Sequence, residues 1–520
     1  MREVFRPRRE INRVIKRGRP TDIKVGILVP LPYRAASSSL IMHMLYEYLN
    51  SLENVIAYRF VYDKSKDVIE SLDHDISLRH LDLVLISASF ELDYINVARI
   101  LGSANLLPHQ KKKPKPVTVA GGLAPTSNPL PLSSIVDAVV VGESEEVLRE
   151  LVYAAQEDNP LKHLEGSRCI AMPARNIGAE KCFVRDLNNS YHPVMQVYSL
   201  DEEPIFGYGV RIELSRGCQY LCPFCMEAHV AYPFRFRSYT NALSIMNRAL
   251  DHHPLMKRVV LYSLSFFSIP HADKLLDYLL NENIQASIPS LRPEHITIER
   301  LETMYRLGQK TLTIAPETLA EHFGCRIGKC SDLDHIANIV LEAYRTGYEH
   351  VKLYLITGFP GLDISEEITS LRKLLSKVAS TIKRHRFIEI SLNILIPKPW
   401  TPLQFMPPKS VLDNSYRVNE YRNAVKGYSF VSIEAMDPRW GFAQAVIAQG
   451  DKEVSKIVVE CALKRCSLSQ FIKQIRSDVD RLAFVDKGWG TAPPWYSIVN
   501  MGFNVKYLDL RYRYLSKPNN

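Results

Sequence analysis

Three cysteines in this sequence have the spacing of ligands to one metal centre. They lie in the segment RIELSRGCQYLCPFCME, residues 211–227, as Cys218, Cys222 and Cys225. A C-x3-C-x2-C spacing lets three thiolates converge on one iron–sulfur cluster, and because a cubic cluster normally takes four protein ligands, one iron would stay open to a small molecule. A zinc site or buried free thiols are the alternatives. Zinc needs a fourth Cys or His, and the next candidate, His229, lies too close behind the third cysteine for a typical ligand pair.

The surrounding pattern places these cysteines on a loop at the end of a strand. Residues 210–214 predict a short buried strand, and Ser215-Arg216-Gly217 breaks it. Strand–helix units then recur to about residue 402, with six predicted strands: Val210–Leu214, Val259–Ser263, Ala286–Pro289, Thr311–Ala315, Val351–Ile356 and Ile388–Ile396. Six such strands make a partial barrel, in which chemistry belongs to the loops at the carboxyl ends of the strands.

A second α/β region precedes the barrel. Its predicted strands are Lys24–Pro30, Val55–Val61, Leu81–Ser87, Val117–Ala120 and Asp137–Val141, and helices alternate with them. This pattern predicts a doubly wound parallel sheet of the Rossmann type. Its ligand crevice should lie at the strand carboxyl ends, near Pro30–Ser37, Ser87–Leu92, Gly121–Pro125 and Gly142–Glu145.

The composition changes divide the chain into five predicted parts. These are a basic N-terminal arm at 1–21, the Rossmann-type domain at 22–165, a linker at 166–206, the barrel at 207–408 and a small α+β appendage at 409–520. The remaining cysteines, including the pairs Cys169 with Cys182 and Cys325 with Cys330, are predicted to be free thiols. Cys461 and Cys466 are predicted to pack in the core.

The charge is uneven along the 520 residues, whose formal net charge is +9. Eight Arg and Lys residues crowd the first twenty positions, and such an arm could neutralise phosphates of RNA or of lipid head groups. The alternative is a solvated tail packed across a domain surface, and the lack of interleaved aromatic residues favours it.

The sequence predicts a folded cytoplasmic protein. We find no apolar run of the ~18 residues that a membrane span needs and no signal-peptide core at the N-terminus. An odd count of nine cysteines, three of them assigned to a cluster, indicates a reducing compartment.

The cysteine loop resembles the cluster motif of the radical S-adenosylmethionine (SAM) superfamily, including Phe224 before the last cysteine. This resemblance implies a [4Fe-4S] cluster on the three cysteines. Its open iron binds the amino and carboxylate groups of SAM, and an electron from the cluster splits SAM into methionine and a 5′-deoxyadenosyl radical. The resemblance also implies a reductant protein such as ferredoxin or flavodoxin.

Several loops at predicted strand ends resemble other segments of one branch of this superfamily. They are Ser290-Leu291-Arg292, Ala315-Pro316-Glu317, Lys352 with Tyr354, and the turn Gly358-Phe359-Pro360-Gly361. The resemblance assigns SAM contacts to Arg292, Glu317, Lys352, Tyr354, Gly358, Pro360 and Gly361. Arg292 could instead close a surface turn, and Glu317 could be a helix N-terminal charge. Ser263–Ser265 departs from the family, because it has neither the glycine nor the acid of the Gly-Gly-Glu-type segment.

The stretches GGLAPTSNPLPL and DAVVVGESEEVLREL resemble the cobalamin-binding-like domain that precedes many radical SAM barrels. The Asp-x-His-x-x-Gly signature of some cobalamin proteins is missing, and the loop after the first strand reads PLPYRAASSS. The sequence leaves cobalamin open, but the lack of a cobalt ligand in that loop weighs against it.

The resemblance implies radical SAM chemistry with methyl or methylthio transfer to a macromolecule such as tRNA, which makes RNA a candidate partner. Modification of a lipid or small metabolite is one alternative. A non-catalytic iron–sulfur scaffold for electron transfer or RNA binding is the other.

Overall fold

The protein is described by a computed structural model over residues 1–330, 332–478 and 492–517. The chain divides into two units. The first comprises Met1–Val210, Leu243–Met256 and Val446–Phe503, and the second comprises Arg211–Ala242, Lys257–Ala445 and Asn504–Asn520. The region predicted as one C-terminal appendage is therefore shared between the two units. Among the described residues, no helix is both long and apolar enough to cross a membrane.

The first unit is built on one twisted sheet. Its strands are β1 Arg2–Phe5, β2 Ile23–Val29, β3 Val55–Asp63, β4 Val68–Ser71, β5 Leu83–Ser87, β6 Val117–Gly121, β7 Ala138–Val140 and β8 Ile170–Ala171. They lie in the order β1-β4-β3-β2-β5-β6-β7-β8. The central strands β3 to β7 in this order are parallel, whereas β4 and β8 pair antiparallel with β3 and β7.

Both faces of this sheet are buried, because the strand sequences are almost continuously apolar. Helices α1 Leu40–Ser51 and α3 Leu148–Ala154 share one core with Val25, Ile27 and Val29. Helix α2 Asp93–Ser103 follows β5. This architecture confirms the predicted doubly wound α/β sheet.

The basic N-terminal arm is an edge strand of this sheet and not a solvated tail. Strand β1 pairs in parallel with β4. Behind it, Arg8 forms ion pairs with Glu70 at 2.7 Å and with Glu202 at 2.9 Å. Arg6 also pairs with Glu70, at 2.7 Å. Much of the arm's positive charge is therefore neutralised by carboxylates of the first unit.

A buried ion network fixes the rest of the arm. The Arg59 guanidinium, 1% exposed, donates to Glu10 of the arm and to Asp73, each at 2.6 Å. The Lys16 ammonium donates to Asn50 O near the end of α1 at 3.2 Å and to Val55 O at the start of β3 at 2.6 Å. Burial of a charge costs free energy unless the charge is paired. The arm therefore supplies a carboxylate that the buried Arg59 needs.

The second unit carries the barrel strands. These are β9 Val210–Glu213, β10 Arg258–Tyr262, β11 Gln285–Ser287, β12 Thr311–Glu317, β13 His350–Thr357, β14 Ile388–Ile394 and β15 Val431–Ala435. A sheet β9-β10-β11 and a sheet β12-β13-β14-β15 are joined by a parallel bridge between Leu291 and Ile314. Strand β15, which the sequence placed in the appendage, pairs in parallel with β14 and extends the predicted partial barrel.

Helices lie between these strands and after them. They are α4 Tyr239–Asp251, α5 Ala272–Asn281, α6 Ile298–Arg306, α7 Glu321–Arg326, α8 Leu333–Thr346, α9 Ile364–Ala379, α10 Arg417–Val425, α11 Pro438–Ala448, α12 Lys452–Lys464, α13 Leu468–Asp478 and α14 Val505–Ser516. Of these, α12 and α13 belong to the first unit. Strand β13 alternates buried residues with partly exposed ones. One face of this strand is thus packed, and the other is partly exposed.

Two cysteine pairs form disulfides, which the sequence did not predict. Cys169 and Cys182 lie on segments that both hydrogen-bond the backbone of Val141, so their Cα atoms are 5.6 Å apart. Cys325 and Cys330 close the turn after α7, with Cα atoms 4.1 Å apart. The expectation of free thiols at these four positions was wrong, because spacing along the chain did not reveal either juxtaposition.

Candidate active site

A short hairpin holds the base of the cysteine loop. After β9, Ser215–Arg216 pairs antiparallel with Arg235–Phe236. Between them and the first cysteine, Gly217 has φ +73°, and a Cβ there would lie 2.6 Å from the carbonyl oxygens of both Ala231 and Pro233. Only glycine fits this close backbone crossing. The hairpin and the glycine therefore fix where the cysteine loop begins.

The three cysteines of the loop are free thiols. Cys218 and Cys222 are buried, and Cys225 is partly buried at the start of a five-residue helix, where its sulfur accepts from Ala228 N at 3.4 Å. Burial raises the pKa of Cys222 and of Cys225, and the charge on a neighbouring Cys218 thiolate also raises both pKa values. Buried thiols of this kind lose their protons when a metal binds them.

The environment of the loop fits a multi-iron cluster. In the described parts of the chain, no three His, Cys, Asp or Glu side chains are grouped around a single metal position. In a cubic cluster each cysteine binds its own iron. The three thiols therefore have to lie on one loop, but they do not have to converge on a single metal position. Lys329 and Arg292 lower the pKa of Cys222 against the effect of burial, so these two cations favour the thiolate form of Cys222.

Arg292 lies against the cysteine loop and not at a surface turn. It is 8% exposed, and its Nη1 donates to Cys222 Sγ at 3.6 Å. Its Nε donates to Glu294 at 2.8 Å, and its Nη2 donates to the carbonyl of Gly328. The guanidinium also stacks over the ring of Tyr220, 3.7 Å from the ring centroid. These contacts join the loop after β11 to the cysteine loop.

Glu317 ends β12 in the left-handed region, with φ +66°. Lys329 lies 3.4 Å from its carboxylate and donates to Ala315 O at 2.8 Å. Burial raises the pKa of Glu317, while Lys329 and Arg292 oppose the rise. Helix α7 begins four residues later, so Glu317 is not the N-terminal charge of that helix. The sequence did not predict a site role for Lys329, although Lys329 lies in the segment Arg326-Ile327-Gly328-Lys329 soon after Glu317.

The turn Gly358–Gly361 follows β13 directly. Gly358 and Gly361 have φ +90° and +80°. Between them, Phe359 is 2% exposed and packs edge-on against Phe224 of the cysteine loop, with ring centroids 5.7 Å apart. Pro360 completes the turn. The turn and the cysteine loop therefore share an apolar contact.

Lys352 lies apart from this group, whereas Tyr354 directly precedes Leu355, the residue that pairs with Glu317. Lys352 and Tyr354 both lie on the partly exposed face of β13, where Lys352 forms an ion pair with Glu389 at 2.7 Å. The register aligns Glu317 with Leu355, three residues beyond Lys352, which corresponds to about 10 Å along the strand. Lys352 therefore lies deeper in the barrel than the strand ends that carry Arg292 and Glu317.

The predicted crevice of the first unit is partly covered by the chain itself. Gly142 lies directly against the backbone of Cys182, and Glu143 accepts from Val184 N at 2.9 Å. On the loop after β2, Ser38 Oγ accepts from Ile205 N at 2.9 Å. The linker thus contacts the predicted loop Gly142–Glu145 and the residue that follows the predicted loop Pro30–Ser37.

Comparisons with known proteins agree with this arrangement. Residues 41–169 match the family model described as "Radical SAM proteins, N-terminal", and residues 212–374 match that of the radical SAM superfamily. The uncharacterized protein MJ0966 of Methanocaldococcus jannaschii is 27% identical over 438 residues, which cover 83% of this chain and 90% of that protein.

Two solved structures share the fold. One is the radical S-adenosylmethionine methyltransferase TsrM from Kitasatospora setae with cobalamin and a [4Fe-4S] cluster bound, at a TM-score of 0.53 and 14% identity over 75% of this chain and 78% of TsrM. TsrM with tryptophan substrate and a SAM analog bound gives a TM-score of 0.51 and 14% identity over 76% of each chain.

The second family model begins within β9 and includes the cysteine loop, Arg292 and Glu317. The family implies a [4Fe-4S] cluster and SAM as cofactors. The two matched regions confirm the resemblance seen in the sequence: the chain carries a radical SAM domain, preceded by the N-terminal region of such proteins, and it is a radical SAM enzyme.

Proposed function

We propose that Cys218, Cys222 and Cys225 hold the [4Fe-4S] cluster and leave one iron for SAM. The observation that carries this proposal is the continuity of contacts around Cys222. Arg292 donates to its sulfur and to Gly328, and Lys329 next to Gly328 pairs with Glu317. Loops from three different strand ends therefore surround one thiol, as a site for a cluster-bound cofactor requires.

The charges around this site suit the amino-acid part of SAM. Glu317 supplies an anion for its ammonium group, and Arg292 and Lys329 supply cations for its carboxylate. The glycines of the turn Gly358–Gly361 let the backbone approach the adenosine part. When bound and reduced, the cluster would supply the electron that cleaves SAM. Phe224 and Phe359 exclude water from the side of the loop that they cover.

The reaction that follows is proposed to be methyl or methylthio transfer, with a ferredoxin or flavodoxin as electron donor. The fold shared with a methyltransferase supports group transfer by analogy. A macromolecule such as tRNA is the first candidate substrate, because the chain carries a net charge of +9. We assign no step to cobalamin.

A small polar metabolite or a lipid is the second candidate substrate. Two observations favour it over RNA. The arginines of the N-terminal arm form ion pairs within the first unit. In the C-terminal helix α14, Arg511 donates to Arg326 O at 2.6 Å, and Arg513 pairs with Asp509 at 2.9 Å. These basic side chains therefore pack within the chain.

The test of the proposed activity is anaerobic reconstitution with iron, sulfide, dithionite and SAM, followed by mass detection of 5′-deoxyadenosine. The wild-type chain should produce it, and Cys222→Ala should abolish production because one iron loses its ligand. Cys466→Ala, a free cysteine of the first unit, is the matched control and should retain activity. A reduced intact cluster that leaves SAM uncleaved would overturn the proposal.

The substrate class is tested with SAM labelled in its methyl group. The reconstituted enzyme is incubated separately with total RNA and with a lipid and metabolite extract of the native cell. Label in digested nucleosides supports RNA, and label confined to the extract supports the second candidate. Label in neither fraction, while 5′-deoxyadenosine still forms, would contradict both group-transfer assignments.

A further inference from the structure

A buried ion pair lies directly behind the turn Gly358–Gly361. Glu367 in the first turn of α9 meets Arg417 at the start of α10, with 3.0 Å between Oε2 and Nη1. The two side chains are 0% and 10% exposed. The attraction within a buried ion pair offsets little more than the free energy needed to remove both charges from water. A gain in stability alone therefore does not account for the presence of this pair.

This pair holds both ends of the turn. Thr357, the last residue of β13, donates its hydroxyl to Glu367 Oε2 at 2.7 Å. Leu362, the first residue after the turn, accepts from Arg417 Nη2 at 3.2 Å. One ion pair therefore fixes the residue before the turn and the residue after it.

The outer side of the turn is also confined. A Cβ on Gly358 would lie 3.2 Å from the side chain of Asn414, and a Cβ on Gly361 would lie 2.7 Å from Leu515 O. On the cysteine-loop side, Phe359 packs against Phe224. The turn is thus supported from three directions, and the ion pair supplies the polar support.

The pair is not arranged for maximal stability. Within the part of the chain that the structure describes, Glu367 Oε1 and Arg417 Nε are buried and have no hydrogen-bond partner. Each buried polar atom left in this way costs free energy. Here the ion pair holds two backbone positions although two of its own polar atoms stay unsatisfied. Such an arrangement is typical of side chains that position a neighbouring functional segment.

We propose that Glu367 and Arg417 are positioning residues that fix the turn Gly358–Gly361 in its SAM-binding shape. This inference rests on the proposed function, in which the turn contacts the adenosine part of SAM. Neither side chain need touch SAM. A turn that is already ordered does not lose conformational entropy when SAM binds, so disruption of the pair should weaken SAM binding more than it slows the reaction of bound SAM.

The test uses three variants of the full-length reconstituted chain. Thr357→Val removes one hydrogen bond to the pair. Glu367→Gln removes its negative charge, and the double change Glu367→Gln with Arg417→Met removes both charges and so leaves neither of them unpaired. The matched control is Lys111→Met with Asp137→Asn, a buried ion pair of the first unit.

Equilibrium dialysis of SAM and thermal melting are measured for every chain. The three variants should bind SAM about tenfold more weakly, as is usual when the support behind a ligand-binding group is lost. Turnover at saturating SAM should change much less. The control should melt at a lower temperature yet bind SAM like the wild type.

The outcomes separate the two proposals. If the wild-type chain carries its cluster but does not bind SAM, the proposed function fails. If the wild type binds SAM and Thr357→Val and the double variant bind it equally well, the positioning role is overturned while the proposed function stands. Thr357→Val changes one hydroxyl, so it keeps the test decisive even if the charge variants fold poorly.

Discussion

At the scale of single residues, burial determines which side chains have a pKa far from its ordinary value. Burial raises the pKa of Asp93, at the start of α2, to about 7. The pKa of His229 is lowered to about 4 by burial, and its Nδ1 lies 2.9 Å from Cys225 O. His229 is therefore neutral at physiological pH and packs beside the cysteine loop.

The pKa of Asp93 gives a pH-dependent prediction. Between its ordinary pKa of 3.8 and about 7 the folded chain binds more protons at this residue than the unfolded chain. Its contribution to stability is therefore complete at low pH and is lost as the pH rises through that window. Asp93→Asn should raise the free energy of unfolding at pH 8 by about 1–3 kcal/mol and leave it nearly unchanged at pH 4.

Denaturant unfolding of both chains at several pH values checks this prediction. The difference between Asn and Asp should grow from pH 4 to about pH 7 and then level off. A difference that is constant across the range would contradict the assignment of the raised pKa to Asp93.

At the scale of elements, the hairpin below the cysteine loop sets the position of the thiols. Gly217→Ala would place a Cβ against two carbonyl oxygens, so the loop must move. We expect a loss of about 1–3 kcal/mol of stability and a lower iron content after reconstitution. The matched control is Gly427→Ala, at φ +98° with open space around its Cβ position.

Iron and sulfide analysis of both variants distinguishes displacement of the loop from backbone strain alone. The control should keep the wild-type iron content, because it carries similar strain away from the cysteines. Equal iron content in Gly217→Ala and the wild type would show that the close crossing does not position the loop.

The sequence was most informative about elements with a strong apolar pattern. The strands β2, β3, β5, β12, β13 and β14 were predicted from their apolar patterns, and the cysteine loop was predicted from its spacing. The pairing of β15 with β14 was not predicted, because the apolar pattern of a strand does not indicate which other strand it will pair with. For the same reason, neither the Cys325–Cys330 disulfide nor the contact of Lys329 with Glu317 could be derived from spacing.

At the scale of the whole molecule, the N-terminal arm is a structural part of the first unit. Glu10 of the arm pairs with the buried Arg59, and Lys16 donates to carbonyls near the end of α1 and at the start of β3. A basic arm on its own suggests binding to phosphates. The ion pairs of the arm indicate instead that its main role is to complete the sheet.

Removal of residues 1–21 tests this role. Truncation leaves Arg59 with one of its two carboxylate partners, so the first unit should lose roughly 3–5 kcal/mol of stability. Thermal melting measures the loss, and the affinity for total RNA in a filter-binding assay should change little. A truncated chain that melts like the wild type but no longer binds RNA would reverse this interpretation.

The most direct test of the account is the electron paramagnetic resonance spectrum of the reduced, reconstituted chain with and without SAM. We predict about four irons and four sulfides per chain, and a reduced-cluster signal that SAM perturbs because SAM binds the open iron. The same preparation of Cys222→Ala should lack this response. A bound zinc ion in place of iron, or a [4Fe-4S] signal that SAM leaves unchanged, would contradict the account.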